Sequence, residues 1–109
     1  MTKEELTAWA QAGGWRVIGG ALSLTRPGAP NDPIVRLLLK ATVATLEVRK
    51  PAGKWEKVAS GSYRDIAPGA DDGALPRGLG FEKVPSITML MQQNRDAAML
   101  QSWGRPPSS

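Results

Sequence analysis

The longest patterned stretch of the chain runs from Ile34 to Ile66, IVRLLLKATVATLEVRKPAGKWEKVASGSYRDI. Thr42, Val43, Thr45, Val48 and Val58 are β-branched, and Trp55 and Tyr63 are aromatic. Such side chains suit a pleated, half-buried surface. Pro51-Ala52-Gly53 interrupts the run. Proline has the φ that starts a turn, and glycine supplies a left-handed position. A three-residue loop with glycine last is a common hairpin closure. The pattern therefore predicts one long hairpin, entering from Ile34 to Lys50 and returning as far as Asp65.

In that register Lys50 faces Lys54, Arg49 faces Trp55, Val48 faces Glu56, Glu47 faces Lys57 and Leu46 faces Val58. Glu47 and Lys57 become an opposite-charge cross-strand pair. Arg49 lies over the Trp55 ring as a cation–π contact. Without a bulge, Trp55, Lys57 and Tyr63 share a face with Glu47 and Arg49. A two-residue loop is the rival; it pairs Arg49 with Glu56 and swaps the face of every side chain on the return strand. The ingoing strand far exceeds the usual ~5–6 residues, so it contains a bulge or begins as something else. Asn31-Asp32-Pro33 has the form of a helix start. Lys40 to Thr45 is poor helix material, which favours strand.

The flanks predict helices. Thr2-Lys3-Glu4-Glu5 is a capping-box pattern, followed by Leu6, Trp9 and Ala10 at helical spacing and by Gly13-Gly14 as a stop. A helix of about ten residues is unstable alone, so it must dock, with Trp9 as the anchor. Trp15 to Ile18 and Ala21 to Thr25 read as two short strands around Gly19-Gly20, or as one strand kinked by a glycine bulge. Arg26 to Pro33, with three prolines, reads as a loop. Ala67 to Gly80 reads as a long, weakly ordered surface loop, a length common in partner-contacting or disordered segments.

Ser86 caps a final helix from Ile87 to about Trp103, stopping at Gly104. Ile87, Leu90, Met91, Ala97 and Ala98 fall on one side of it. Met89, Leu100 and Trp103 form a second apolar patch. A helix apolar on two sides is buried between two layers. The elements together predict an α+β fold: a small antiparallel sheet of three or four strands with a long central hairpin, a short N-terminal helix and a longer C-terminal one. Residues 1–104 form a single domain and 105–109 a disordered tail.

Composition narrows the chemistry. The 109 residues include no cysteine and no histidine, which removes thiolate sites and the commonest general base and metal ligand. Asp65, Asp71 and Asp72 are too few for a calcium loop, so no metal or cofactor is expected; Asp71-Asp72-Gly73 reads as a turn. The glycine-rich stretches Gly13 to Gly20 and Gly78 to Gly80 lack the context of a phosphate loop. Ser60 and Ser62 lie near Lys57, but spacing alone does not make a Ser–Lys nucleophile, and no catalytic residue is assigned. No stretch is long and apolar enough for a membrane span, and the N-terminus lacks the apolar region of a signal peptide. A cytoplasmic, non-enzymatic protein is expected.

The net charge is +4. From Ile34 to Lys57 there are six basic residues against two acidic ones, and the rest of the chain balances at eight of each. The whole excess sits on the hairpin. Cations follow a phosphate backbone, and aromatics stack on unpaired bases. The candidate surface for a single strand of nucleic acid is therefore Arg49, Lys50, Lys54, Trp55, Lys57, Tyr63 and Arg64. The competing account makes Trp55 a core residue and the lysines a solvated edge that prevents strand-to-strand aggregation. The alternative function is a protein-interaction module, with Met89, Leu100 and Trp103 as its interface and a second copy or another protein as partner. Trp and Met are enriched at interface cores. It would serve as an adaptor, regulator or inhibitor of a larger assembly.

Overall fold

The computed structural model describes residues 1–50, 53–70 and 74–104. The expected turn residues Pro51 and Ala52, the Asp71-Asp72-Gly73 turn, the tail 105–109 and the side chain of Trp103 lie outside the described residues. Helix α1 (Lys3–Ala12) leads into strands β1 (Arg16–Ile18), β2 (Ala21–Arg26), β3 (Ala29–Leu39), β4 (Val43–Arg49) and β5 (Trp55–Ser62). A short 3-10 turn (Phe81–Lys83) and helix α2 (Ser86–Gly104) complete the chain. The strands form one antiparallel sheet in the order β1-β2-β3-β4-β5. The fold is α+β, with five strands where three or four were expected.

Helix α1 starts as its sequence predicts. The Thr2 hydroxyl accepts from the Glu5 amide at 3.1 Å, and the Glu5 carboxylate accepts from the Thr2 amide at 2.9 Å. The bond from the Thr2 amide, with the Thr2 side chain adding to it, holds the Glu5 carboxyl below its ordinary 4.5. Leu6 and Ala10 are fully buried, while Trp9 packs against Trp15 and Phe81. A Cβ at Gly13 would collide with the end of the Met91 side chain, so the end of α1 abuts α2 closely.

Two expectations fail between Arg26 and Lys50. The segment Arg26 to Pro33 is not a loop; the strand reading preferred over a helix start at Asn31-Asp32-Pro33 holds. Pro27-Gly28 makes a tight turn, with Gly28 at φ 85°, as the third position of a type II turn requires. Strand β3 begins at once at Ala29. Its prolines survive there because the β2–β3 ladder is irregular at that end, pairing Thr25 with Pro33 and Arg26 with Ala29 across two register shifts. The second failure is the single long strand. It breaks at Lys40-Ala41-Thr42, where the Lys40 amide donates to the Val43 carbonyl at 2.9 Å. No glycine or proline marks this turn, so the β pattern reads straight through it. The central stretch is thus a three-strand meander.

One face of the sheet is covered. Register puts Val17, Leu22, Leu37, Leu46 and Ala59 in one row across all five strands. Leu22, Leu37 and Leu46 join Leu6, Ala10, Ile87, Leu90 and Met91 in the core. The described parts of the segment expected to be a weakly ordered surface loop, residues 67–70 and 74–80, contribute to this cover. Ala67 pairs with Arg77, Leu79 is fully buried, and Phe81 just after it is 1% exposed. A Cβ at Gly61 on β5 would collide with the Gly78 carbonyl oxygen. The backbone at Gly78 therefore lies directly on β5, and glycine permits the approach.

Two stability measurements test this layering. Leu79→Ala should cost about 2–5 kcal/mol by urea denaturation, and Gly61→Ala about 1–3 kcal/mol through overpacking; a peripheral loop would give near zero for both. The capping box carries a pH signature. Its contribution is present above pH 4.5 and is lost as pH falls through the depressed value of Glu5. Glu5→Gln should remove that acid dependence, and Thr2→Ala, which keeps the amide but loses the capping hydroxyl, should cost about 1 kcal/mol.

Candidate nucleic-acid interface

The other face of the sheet carries polar and charged residues. Register aligns Arg16, Ser23, Arg36, Glu47 and Lys57 in a row, one from each strand. Paired residues of antiparallel strands point to the same side, and this row alternates with the apolar row beneath α1 and α2. Arg49 pairs with Trp55, two residues along from Glu47 and Lys57, and so shares their face. Trp55 is half-buried on the helix-free face and is not a core residue.

Arg36 organises this surface. Its guanidinium lies 4.0 Å from the centroid of the Trp55 ring, and its Nε donates to Glu47 Oε1 at 2.7 Å. The expected cation–π partner was Arg49, and the expected partner of Glu47 was Lys57. Arg36 takes both places because β3 is Glu47's other neighbour, a relation hidden by the unmarked turn at Lys40–Thr42. Arg49 instead reaches Asp32 at 3.1 Å, and Lys50 reaches Glu56 at 3.1 Å. Three of the six basic residues between Ile34 and Lys57 are therefore ion-paired. Among the described residues, Lys54 and Lys57 form no ion pair.

The expected hairpin register holds from Lys50 to Lys57. Lys50 and Lys54 close the turn by a backbone bond of 2.9 Å, and Gly53 has φ 87°. Beyond it, a bulge opposite Leu46 and Glu47 pairs Leu46 with Ala59 and not Val58. The extra residue reverses the facing of everything after it. Tyr63 consequently leaves the basic face and packs against the core, where its hydroxyl donates to the Lys40 carbonyl at 2.7 Å. Burial, with Glu4 adding to it, pushes the Tyr63 phenol above its ordinary 10. Arg64 is exposed in the following turn.

Of the seven residues expected at this interface, the fold brings Arg49, Trp55 and Lys57 onto one face. Lys50 reaches Glu56, which points away from Trp55, and Lys54 stands at the tip. Arg16 and Arg36 join the face unanticipated. A cleft of about 240 Å³ adjoins it at the hairpin end, lined by Arg26, Arg49, Lys50, Asp32, Ile34 and Gly53 among others. That is smaller than the ~300–1,000 Å³ of small-molecule pockets. Lys57 is exposed, and the Ser62 hydroxyl donates to Asp65 at 3.0 Å. Among the described residues, no group of three or more acidic side chains gathers to hold a metal ion. Nor is any helix among them long and apolar enough to cross a membrane.

Comparison with protein families, characterised proteins and solved structures finds no match to this chain. Function therefore rests on the geometry of this surface.

The Arg36 assembly is testable. Arg36→Lys keeps the charge but loses the flat stack on Trp55 and the fixed fork toward Glu47. It should cost about 0.5–2 kcal/mol in urea denaturation, the range of a partly desolvated cation–π contact. A cost indistinguishable from zero would show that the stack is not maintained in solution.

Proposed function

We propose that this protein is a non-enzymatic binder of single-stranded nucleic acid, and that the strand lies along the helix-free face of the sheet. The observation that carries the reading is the position of Trp55. It stands on the uncovered face in register with Arg49, beside Lys57 and beneath Arg36. Bases stack on aromatic rings and on guanidinium planes alike. The phosphates would meet Arg16, Arg49 and Lys57. The exposed pair between Arg49 and Asp32 does not remove Arg49 from this set. Exposed ion pairs contribute about 0–1 kcal/mol, so a phosphate can displace the carboxylate. The Arg36–Glu47 pair is less exposed and serves as the rigid floor.

Fluorescence anisotropy of a labelled single-stranded oligonucleotide, titrated at several salt concentrations, tests this reading. Binding should weaken with salt, with a log–log slope of about −0.7 for each phosphate neutralised. Lys57→Gln should reduce that slope by about 0.7 with the fold intact. Trp55→Ala should cost about 1–3 kcal/mol of affinity. Absence of binding at low salt, or binding indifferent to salt, would remove the proposal.

A further inference from the structure

Helix α2 is packed along only part of its length. Ile87, Leu90 and Met91 are buried, and Asn94 donates to the Thr25 carbonyl at 2.8 Å. From Arg95 to Leu100 no residue is fully buried. Met89 is 55% exposed and Leu100 67%. Both line a groove of about 520 Å³ between α2 and the β2–β3 turn, together with Pro27, Gln93, Asp96 and Ala97. Exposed large apolar side chains gathered along one groove mark an interaction surface. This groove is not the basic face. Its floor includes Leu90, a residue of the core beneath the helices.

We infer that the groove is occupied by α2 of a second copy of this chain, running antiparallel about a twofold axis between residues 94 and 95. The stripe is its own complement. Met89, Gln93, Asp96 and Leu100 recur at the three- and four-residue spacing of one helix face. Met89 and Leu100 stand equally far from the midpoint, as do Gln93 and Asp96. In an antiparallel pair Met89 meets Leu100 of the other copy at both ends, and the Gln93 amide meets the Asp96 carboxylate in the middle. An isologous interface requires such self-complementarity.

Charge supports the same partner. Arg26 and Asp96 both line the groove. Among the described residues Arg26 forms no ion pair, and Asp96 accepts one bond, from Gln92 at 2.8 Å. A groove with its own cation and its own anion fits a copy of itself better than a partner of one sign. The stripe from Met89 to Leu100 is about 17 Å long at ~1.5 Å per residue. One helix contact of that length falls short of the ~800 Å² per partner of a standard stable interface. The dimer is therefore weak and in exchange with monomer.

Sedimentation velocity of the intact chain, from low micromolar to near-millimolar concentration, should show the mass rise from 11.6 kDa toward twice that value. Leu100→Lys alters a mostly exposed side chain and should leave the circular dichroism spectrum unchanged. It should weaken dimerisation about tenfold or more, given the apolar area lost. Orientation is read separately, since the chain has no cysteine of its own. Mixing Met89→Cys with Leu100→Cys under oxidation should yield the mixed disulfide dimer in preference to either symmetric one. A monomer at every concentration overturns the inference, leaving the groove to another protein or to the chain's own last residues. A dimer indifferent to Leu100→Lys, or symmetric Met89→Cys cross-links in excess, overturns it as well.

Discussion

Burial of one face of the sheet is the constraint from which the remainder follows. Leu22, Leu37 and Leu46 align across the three central strands, and a leucine row of that kind must be removed from water. Burial of each such side chain is worth about 1.5–3 kcal/mol. Everything that covers the row lies on one side: Leu6 and Ala10 from α1, Ile87, Leu90 and Met91 from α2, and Leu79 and Phe81 from the segment between. Period-two alternation then turns the charged positions to the opposite face, where Ser23 and Thr45 are nonetheless buried among their neighbours. The charged row Arg16, Ser23, Arg36, Glu47 and Lys57 is the necessary counterpart of the leucine row.

The free face is not a loose scatter of lysines. Arg36 is held from two directions, by the Trp55 ring and by Glu47, and both members of its ion pair are under one-third exposed. A guanidinium held this way has little rotamer freedom left to lose when a ligand arrives, which lowers the cost of binding. Lys57 and Arg49 flank that fixed centre on longer tethers. The same assembly makes the electrostatics of the surface weaker than the bare charge implies. Glu47 and Asp32 each offset one arginine, so specificity would rest on the stacked Arg36–Trp55 pair more than on bulk charge.

Much of the fold was legible in the chain. The capping box at Thr2 and Glu5, the stop at Gly13, the Gly19-Gly20 turn and the span of α2 all carry strong local signals, and each is found where those signals lie. The hairpin from Lys50 to Lys57 was equally readable, because glycine and the alternation of charges set its register. What was hidden lacked any local marker. The turn at Lys40-Ala41-Thr42 has no glycine or proline, and it is stabilised from a distance by the Tyr63 hydroxyl on the Lys40 carbonyl. Missing it concealed that Arg36 and Glu47 are neighbours. The bulge opposite Leu46 is likewise silent in sequence, and it alone removes Tyr63 from the basic face. In the segment 67–80, glycine and proline suggest mobility. Its packing is legible only once Gly61 and Gly78 are seen to meet across the sheet.

The division of the molecule into a covered face and a free one is tested most directly by amide and indole chemical-shift mapping during titration with a single-stranded oligonucleotide. The account predicts shifts concentrated on the Trp55 indole N–H and on Arg16, Arg36, Arg49 and Lys57, with α1 and the segment around Leu79 unmoved. Shifts centred on the helices, or none on Trp55 at saturating oligonucleotide, would contradict it.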